Sequence, residues 1–228
     1  MITLSPLVIL RRKPFREQSL LLDIWTRDAG KFTCVAKVSK QARSKAILEP
    51  LRLLEGAWAG KGEVLSLHKV EEQQRFALPP ANLSRALYLN EVLLRSLWAH
   101  QAQPKLFDAY LNTLQRLTQL HDSLAMPLFE LNVLHVHGYV LNLWQDDATG
   151  QDIQPQMRYR FLPDRGLAPD QADVRGVPLS GTLLIGLRTP ASLTQALQHE
   201  LRQVLDRLFS LLLQGKVLHA RRLINANN

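Results

Sequence analysis

The chain has 228 residues, with 28 Lys and Arg against 20 Asp and Glu, and a net charge of +8 with histidine neutral. A hydrophobic content of 46% is enough to bury real cores and excludes an intrinsically disordered chain. No apolar run approaches the length of about 18 residues that a membrane-spanning helix needs, and the order of apolar and basic residues at the N-terminus is the reverse of a secretory signal. The single cysteine, Cys34, excludes an internal disulfide and a cysteine-rich zinc site, and it favours a reducing cytoplasm.

The charge is unevenly distributed along the chain. Residues 1–80 carry 14 basic and 8 acidic side chains, residues 81–200 carry 9 and 11, and residues 201–228 carry 5 and 1. A basic front and a basic tail around a slightly acidic middle indicate a polyanion-binding surface drawn from both ends. A raised pI that only serves solubility is the alternative interpretation.

The first 75 residues have the pattern of short strands. An Asp-Ala-Gly turn ending at Gly30 predicts a hairpin between the second and third runs, because glycine readily adopts the left-handed conformation that a short loop requires. Five strands without intervening helices predict a small barrel of the oligonucleotide-binding type. The apolar runs are residues 7–10, 20–26, 32–37, 51–58 and 62–70.

Helical periodicity replaces the strand pattern from about residue 80. A buried helix is predicted over residues 84–100, and Pro104 and Pro127 are each predicted to open another. A long helix follows a capping box at Ser192-Leu193-Thr194-Gln195. The predicted class is therefore α+β, with a five-stranded barrel over residues 1–78 and a helical domain over residues 80–228 that contains an irregular insert at about 144–178.

No catalytic constellation is evident. The segment Gly56–Gly62 resembles a phosphate-binding loop, but its spacing is one residue short and no helix follows it, so a β-turn is the better interpretation. His135 and His137 lack the spacing of a zinc pair on a helix, and the acidic cluster of Asp146, Asp147 and Asp152 is typical of a solvated turn. We therefore predict a non-enzymatic protein without a metal or cofactor.

The basic segments are more informative, because they fall where an oligonucleotide-binding barrel carries its ligand loops. Lysine and arginine on loops neutralise phosphates without reading bases, so binding is expected to be independent of sequence. The nearby aromatic residues Phe15, Trp25, Phe32 and Trp58 either stack on bases or belong to the core. The predicted DNA-binding residues are Arg11, Arg12, Lys13 and Arg16 in a loop between the first two strands, Lys37, Lys40, Arg43 and Lys45 between the third and fourth, Lys61 between the fourth and fifth, and Lys216, Arg221 and Arg222 in the tail.

Several short stretches along the chain are informative through their order and spacing. They are Lys13-Pro14-Phe15-Arg16-Glu17-Gln18-Ser19-Leu20, Asp28-Ala29-Gly30-Lys31, Gly62-Glu63-Val64, Tyr88-Leu89-Asn90-Glu91, Phe129-Glu130-Leu131, and Gly215-Lys216 followed by Leu218, Arg221 and Leu223. In this order and spacing they resemble the RecO family of bacterial DNA repair proteins, and the resemblance spans essentially the whole chain.

The resemblance implies a cytoplasmic, nucleoid-associated protein that binds single- and double-stranded DNA and anneals complementary strands. It further implies partnership with RecR, and in some bacteria RecF, in loading RecA onto DNA coated by single-stranded DNA-binding protein. Members of the family bind the acidic, apolar C-terminal tail of single-stranded DNA-binding protein through their helical domain. By charge, the candidate residues for this contact in the present chain are Arg116, Arg202 and Arg207. Many relatives carry a four-cysteine zinc site in the irregular insert, which has no cysteine in this chain, so no structural zinc is predicted. A basic protein-interaction adaptor that does not bind DNA directly is the alternative function.

Overall fold

The computed structural model describes residues 4–38, 46–170, 175–216 and 218–220 of the chain. They belong to two compact units, one made of Met1–Asp122 with Leu218–Asn228 and the other of Ser123–Val217. The domain boundary predicted at residues 78–80 stays a prediction, because a compact unit need not be an independently folding domain. None of the described helices is both long and apolar enough to cross a bilayer.

Five strands at the start of the chain close into a barrel: β1 (Ser5–Pro14), β2 (Ser19–Thr26), β3 (Gly30–Lys37), β4 (Arg52–Ala59) and β5 (Val64–Arg75). The strand order is β1-β2-β3-β5-β4, and β4 pairs with β1 to complete the closure. β3 and β5 are parallel, whereas the other neighbours are antiparallel. This is an oligonucleotide-binding type of barrel followed by helices, so the predicted α+β class is confirmed.

Alternation of side chains along the strands builds the interior of the barrel. Ile9, Leu22, Cys34 and Leu54 are fully buried in one hydrophobic cluster. Each large aliphatic side chain buried in this way contributes about 1.5–3 kcal/mol. Burial also raises the pKa of the Cys34 thiol to about 12, so the thiol stays protonated at neutral pH.

Strand β1 is longer than predicted, because it includes the basic run after residue 10. Arg11, Arg12 and Lys13 pair with residues 23, 22 and 21 of β2, so the prediction that these three residues form a loop is wrong. The register shifts between Ile9 and Arg11, and beyond the shift Arg11 forms an ion pair with Asp23 at 2.6 Å. A run of three cations is unusual in a strand, and here the cross-strand ion pair with Asp23 stabilises the extension of β1.

Two helices complete the first unit, α1 (Pro80–Ser96) and α2 (Pro104–Arg116). Each begins at a proline, which is compatible with the first helical turn because its missing N–H would be unpaired there in any case. α1 starts four residues earlier than predicted and also ends four residues earlier. Leu106, Tyr110 and Leu114 form the predicted buried face of α2.

A buried chain of hydrogen bonds ties both helices to the barrel. The Tyr110 hydroxyl donates to Oδ1 of Asn90 at 2.5 Å, and Nδ2 of Asn90 donates to the carbonyl oxygen of Leu10 at 3.1 Å. Leu10 lies at the register shift of β1, and burial raises the pKa of Tyr110, which keeps its hydroxyl a donor. The irregular point of β1 is therefore the point at which the helices are attached.

The second unit combines helices with a small three-stranded sheet. The predicted irregular insert at 144–178 contains most of this antiparallel sheet, whose strands are β6 (Arg158–Leu162), β7 (Gly166–Pro169) and β8 (Val177–Ser180), in the order β7-β6-β8. The two outer strands have only four residues each and contain proline, so they are too short to show an alternating pattern. Tyr159 and Phe161 of the middle strand are buried. The elements are α3 (Ala125–Val136), β6 (Arg158–Leu162), β7 (Gly166–Pro169), β8 (Val177–Ser180), α4 (Gly181–Gly186), a 3-10 turn (Pro190–Ser192) and α5 (Gln195–Leu212).

The N-terminus of α5 is capped by Thr194, whose hydroxyl accepts a hydrogen bond from the Leu197 amide. The predicted capping box that starts at Ser192 is wrong, because Pro190 begins a 3-10 turn that ends at Ser192. Gly215, with a φ of 76°, follows the helix.

The substitution Gly30→Ala is expected to destabilise the protein more than Gly62→Ala. Both glycines have a positive φ, 77° and 100°, so each substitution imposes left-handed backbone strain of about 1–2 kcal/mol. A Cβ at residue 30 would also lie 2.5 Å from backbone atoms of Gln101, whereas at residue 62 no described atom lies within 4 Å. Urea unfolding of both variants measures the difference, and equal losses of stability would contradict a rigid contact at Gln101.

Candidate nucleic-acid interface

The outward face of β1, β2 and β3 carries several of the predicted DNA-binding residues. By register, Arg11, Asp23 and Thr33 lie side by side in one row across the three strands. Lys13 lies one row further along β1, and Lys37 lies at the same end of the face on β3. Rows on one face are about 7 Å apart and neighbouring strands about 4.8 Å apart. Arg11, Lys13 and Lys37 therefore share one continuous surface.

Two further cations stand at the ends of this face. Arg16 lies in the short connection between β1 and β2, beside the end of β3 that carries Lys37. Lys61 lies in the turn between β4 and β5. Because β5 is parallel to β3 and Val64 pairs with Thr33, this turn lies at the end of β3 opposite to Lys37. The face is thus flanked by positive charge on both sides.

The cations of this face differ in how far they are neutralised. Lys13, Arg16, Lys37 and Lys61 are exposed and form no ion pair with any described residue. Arg11 is paired with Asp23, and Arg12 lies 2.7 Å from a carboxylate oxygen of Glu49. The first four are therefore the strongest candidates for phosphate contacts, whereas Arg11 and Arg12 must share their charge with a carboxylate.

Lys31 also belongs to β3, but the fold uses it structurally. Its Nζ donates a hydrogen bond to the carbonyl oxygen of Leu94 at 2.6 Å, and burial lowers its pKa. The backbone amide of His100 donates to the carbonyl oxygen of Lys31, and Lys31 forms an isolated parallel β-bridge with Ala99. The segment after α1 thus covers this end of β3.

Six of the predicted DNA-binding residues lie outside the described part of the first unit. Lys216 is exposed and belongs to the second unit. The other five lie outside the described residues: Lys40, Arg43, Lys45, Arg221 and Arg222.

Of the four candidate stacking residues, two belong to the core. Trp25 is fully buried and lies edge-on to Phe107 and Tyr110, with ring centroids 5.1 and 5.8 Å away. Phe32 is buried between Trp58 and His100. Neither Trp25 nor Phe32 is therefore available to a base in this structure.

Phe15 and Trp58 are half-buried, and the guanidinium carbon of Arg16 lies 5.1 Å from the Phe15 ring centroid. The exposed tryptophans are two that sequence reasoning missed, Trp98 at 51% and Trp144 at 65% exposure. No spacing pattern in the sequence distinguishes them from core tryptophans.

A groove of about 860 Å³ runs beside the candidate face, between the strands and α1. Arg11 and Asp23 line it from the strands, and Glu91 and Arg95 line it from α1. Each arginine is paired with the neighbouring carboxylate, at 2.6 Å for Arg11–Asp23 and 2.9 Å for Arg95–Glu91. Because these charges cancel locally, phosphate contacts are expected from the exposed cations outside the groove.

Glu91 also holds the segment that follows the second unit. Its carboxylate accepts hydrogen bonds from the backbone amides of His219 at 3.0 Å and Ala220 at 2.7 Å. Burial alone would raise the pKa of Glu91, but the two amides and Arg95 together hold it below its ordinary value. The residues that precede the basic tail in sequence are thereby fixed to α1.

Two of the three predicted partner-binding arginines are engaged in ion pairs. Arg116 binds both carboxylate oxygens of Asp122, at 2.7 and 2.9 Å. Arg202 binds both carboxylate oxygens of Glu130, at 2.5 and 3.0 Å, and the Glu130 side chain is fully buried. Arg207 is exposed on α5. Arg116 belongs to the first unit and the other two to the second.

The acidic cluster at residues 146–152 is a structural turn. Asp146 is buried and accepts hydrogen bonds from the amides of Ala148 and Thr149 and from the Thr149 hydroxyl, so the prediction of a solvated turn is wrong about its exposure. Burial alone would raise the pKa of Asp146, but these hydrogen bonds hold it below its ordinary value. Among the described residues, no three His, Cys, Asp or Glu side chains are grouped to hold a metal ion.

Two family models match nearly the whole chain. The model described as "Recombination protein O N terminal" matches residues 1–76, which include the barrel. The model described as "Recombination protein O C terminal" matches residues 80–222.

Individual relatives agree with these matches, and each of the following is named DNA repair protein RecO. The chain is 31% identical over 226 residues to the protein of Methylococcus capsulatus, covering 96% of this chain and 92% of the relative. It is 32% identical over 228 residues to that of Alkalilimnicola ehrlichii, covering 97% and 90%. It is 36% identical over 162 residues to that of Vibrio vulnificus, covering 69% and 67%.

The substitution Glu91→Ala is expected to release the segment at residues 218–220. Without the carboxylate the amides of His219 and Ala220 lose their acceptor, so their hydrogen exchange should become faster, as mass spectrometry would measure. In the unaltered protein the lowered pKa keeps this contact intact at pH values above the ordinary carboxyl pKa of about 4.3, and the contact is lost as the pH falls through the lowered value. Glu63→Ala, an exposed carboxylate at the same groove, is the control, and unchanged protection in the Glu91 variant would contradict the anchor.

The substitution Arg202→Ala is expected to destabilise the protein by about 3–5 kcal/mol, because it leaves the buried carboxylate of Glu130 without its main charge partner. Arg207→Ala, on the same helix but exposed, should change stability by no more than about 0.5 kcal/mol. Urea unfolding measures both. Adding Glu130→Gln to the Arg202 variant should recover part of the loss, and a failure to recover any would show that packing rather than the stranded charge is responsible.

Proposed function

The chain belongs to the RecO family of DNA repair proteins, and on that premise we propose that it binds DNA without sequence preference and anneals complementary single strands during recombinational repair. The observation that carries this proposal is the set of exposed cations without an ion pair to described residues, namely Lys13, Arg16, Lys37 and Lys61. They flank one strand face whose two ends are separated by about 20 Å, the length of six residues of β3. A polyanion lying along this face is contacted at both ends.

The chemistry of these side chains favours contacts to the DNA backbone. Exposed lysines and arginines neutralise phosphates and release counterions, but without a second, directional group they do not distinguish one base from another. Both single and double strands present such phosphates, so both are ligands under this proposal. Trp25 and Phe32, the aromatic residues that would otherwise stack on bases at this face, are buried.

Annealing follows from the same charges. A positive surface lowers the repulsion between two phosphate backbones and holds both strands long enough for base pairs to form, so the step needs no nucleotide hydrolysis. We propose on this basis that the protein acts without catalysis of its own. Within the repair pathway it would work in the cytoplasm with RecR, and in some bacteria RecF, to load RecA onto DNA coated by single-stranded DNA-binding protein.

Capture of the coating protein's acidic C-terminal tail is the second part of the proposal. Of the three candidate arginines, Arg207 is exposed, whereas Arg116 and Arg202 hold carboxylates of this chain. An acidic peptide would have to displace Asp122 or Glu130 to reach those two. Arg207 is therefore the candidate to test first.

The double variant Lys13→Ala and Lys37→Ala is expected to bind single-stranded DNA more weakly and with a shallower salt dependence. Each lost phosphate contact on a single strand lowers the slope of log affinity against log salt by about 0.7, so two contacts lower it by about 1.4. The matched control replaces Lys105 and Arg175, two exposed cations that are not among the predicted DNA-binding residues, which removes the same net charge. Fluorescence anisotropy across a salt series measures affinity and slope, and an ATP-free annealing assay should slow in parallel.

An equal effect in the control and the double variant would show that only net charge matters and that the face is wrongly assigned. If the unaltered protein bound no DNA but bound an acidic protein, the adaptor function would replace the proposal. The lysines and arginine at positions 40, 43 and 45, which lie outside the described residues, are tested by a separate triple alanine variant in the same assay.

A further inference from the structure

Trp144 leaves 65% of its surface in solvent, more than any other large apolar side chain that the structure describes. Its backbone is nevertheless fixed, because its amide donates to Oδ1 of Asn142 at 3.1 Å and its carbonyl oxygen accepts from the amide of Ile153 at 2.8 Å. An apolar ring that is held rigidly in water costs free energy unless something covers it.

A cation secures one face of this ring. The guanidinium carbon of Arg188 lies 4.3 Å from the Trp144 ring centroid, which is the geometry of a cation–π contact. Nε of Arg188 donates to the carbonyl oxygen of Leu143 at 2.9 Å, so the guanidinium is itself positioned by the backbone. With one face of the ring occupied and most of the residue exposed, the opposite face is open to a planar ligand.

Trp144 borders an open cavity of about 600 Å³ within the second unit. Val140 and Leu141 add apolar surface to its wall, and Asp147 and Arg165 add groups of opposite charge. The carboxylate oxygens of Asp147 already accept from Asn142 and Leu167, and each retains a further lone pair. The cavity therefore offers a stacking surface, a hydrogen-bond acceptor and a cation side by side.

We infer that this cavity binds an unpaired base of single-stranded DNA, stacked on the open face of Trp144. Stacking on an aromatic ring suits every base because each has a π-face, the Asp147 carboxylate accepts from exocyclic amino groups, and Arg165 contacts a phosphate. The acidic side chains of an acidic peptide fit less well, because a carboxylate has no hydrogen to donate to Asp147, whereas an exocyclic amino group has. The inference rests on the proposed DNA-binding function and adds to the barrel face a contact made by the second unit.

The test is photocrosslinking of a single strand that contains 5-iodouracil, followed by peptide mapping, together with anisotropy of Trp144→Ala. A crosslink at Trp144 is expected, and the alanine variant should lose affinity by about 5- to 100-fold while keeping its salt slope, because stacking neutralises no phosphate. Trp144→Phe should retain most of the affinity, which separates stacking from misfolding. Trp98→Ala, at the other exposed tryptophan, is the matched control.

The outcomes separate this inference from the function on which it rests. If the unaltered protein binds DNA but crosslinks only elsewhere, and Trp144→Ala changes affinity by less than twofold, the inference is wrong and the proposed function stands. If the unaltered protein binds no DNA, both fail. If Trp144→Ala leaves DNA affinity intact but abolishes binding of an acidic peptide with an apolar end, the cavity is a peptide site and the inference is overturned.

Discussion

The buried hydrogen bonds that join Tyr110, Asn90 and Leu10 are the constraint on which the first unit depends. A register shift in a strand leaves backbone groups without their regular partners, and such groups are costly when buried. Here Nδ2 of the Asn90 side chain donates to the carbonyl oxygen of Leu10, and Oδ1 of the same side chain accepts from the Tyr110 hydroxyl. Because the shift also sets the register of the residues that follow, the same contact positions Arg11 opposite Asp23 and Lys13 one row beyond.

Local pairing explains why a count of basic residues overstates the surface available to a polyanion. Arg11, Arg12, Arg116 and Arg202 all hold carboxylates of this chain, and Lys31 is committed to a backbone carbonyl. Each of these side chains either stabilises the fold or binds a ligand, because a carboxylate that accepts hydrogen bonds from a guanidinium occupies the N–H groups that a phosphate would use. Lys13 and Lys37 differ from these residues because no described carboxylate pairs with them. The register of the strands determines which cations lie beside a carboxylate.

Much of the fold could be predicted from local patterns, and the exceptions have physical causes. The hairpin at Gly30, the burial of Cys34 and the proline that opens α2 each follow from a property of one residue and its neighbours. The extension of β1 could not be predicted in this way, because it depends on Asp23, a residue of another strand. The same holds for Trp25 and Trp144, which are chemically identical but lie at opposite extremes of exposure through contacts that are distant in sequence.

The return of the chain at Leu218 gives the second unit two covalent connections to the first, one after Asp122 and one before Leu218. Leu218 is buried and the next two amides are held by Glu91, so the second connection ends in a fixed point. In topological terms the second unit is an insertion into the first. Cleavage of the chain within the second unit would therefore give an N-terminal and a C-terminal fragment that each contain residues of the first unit.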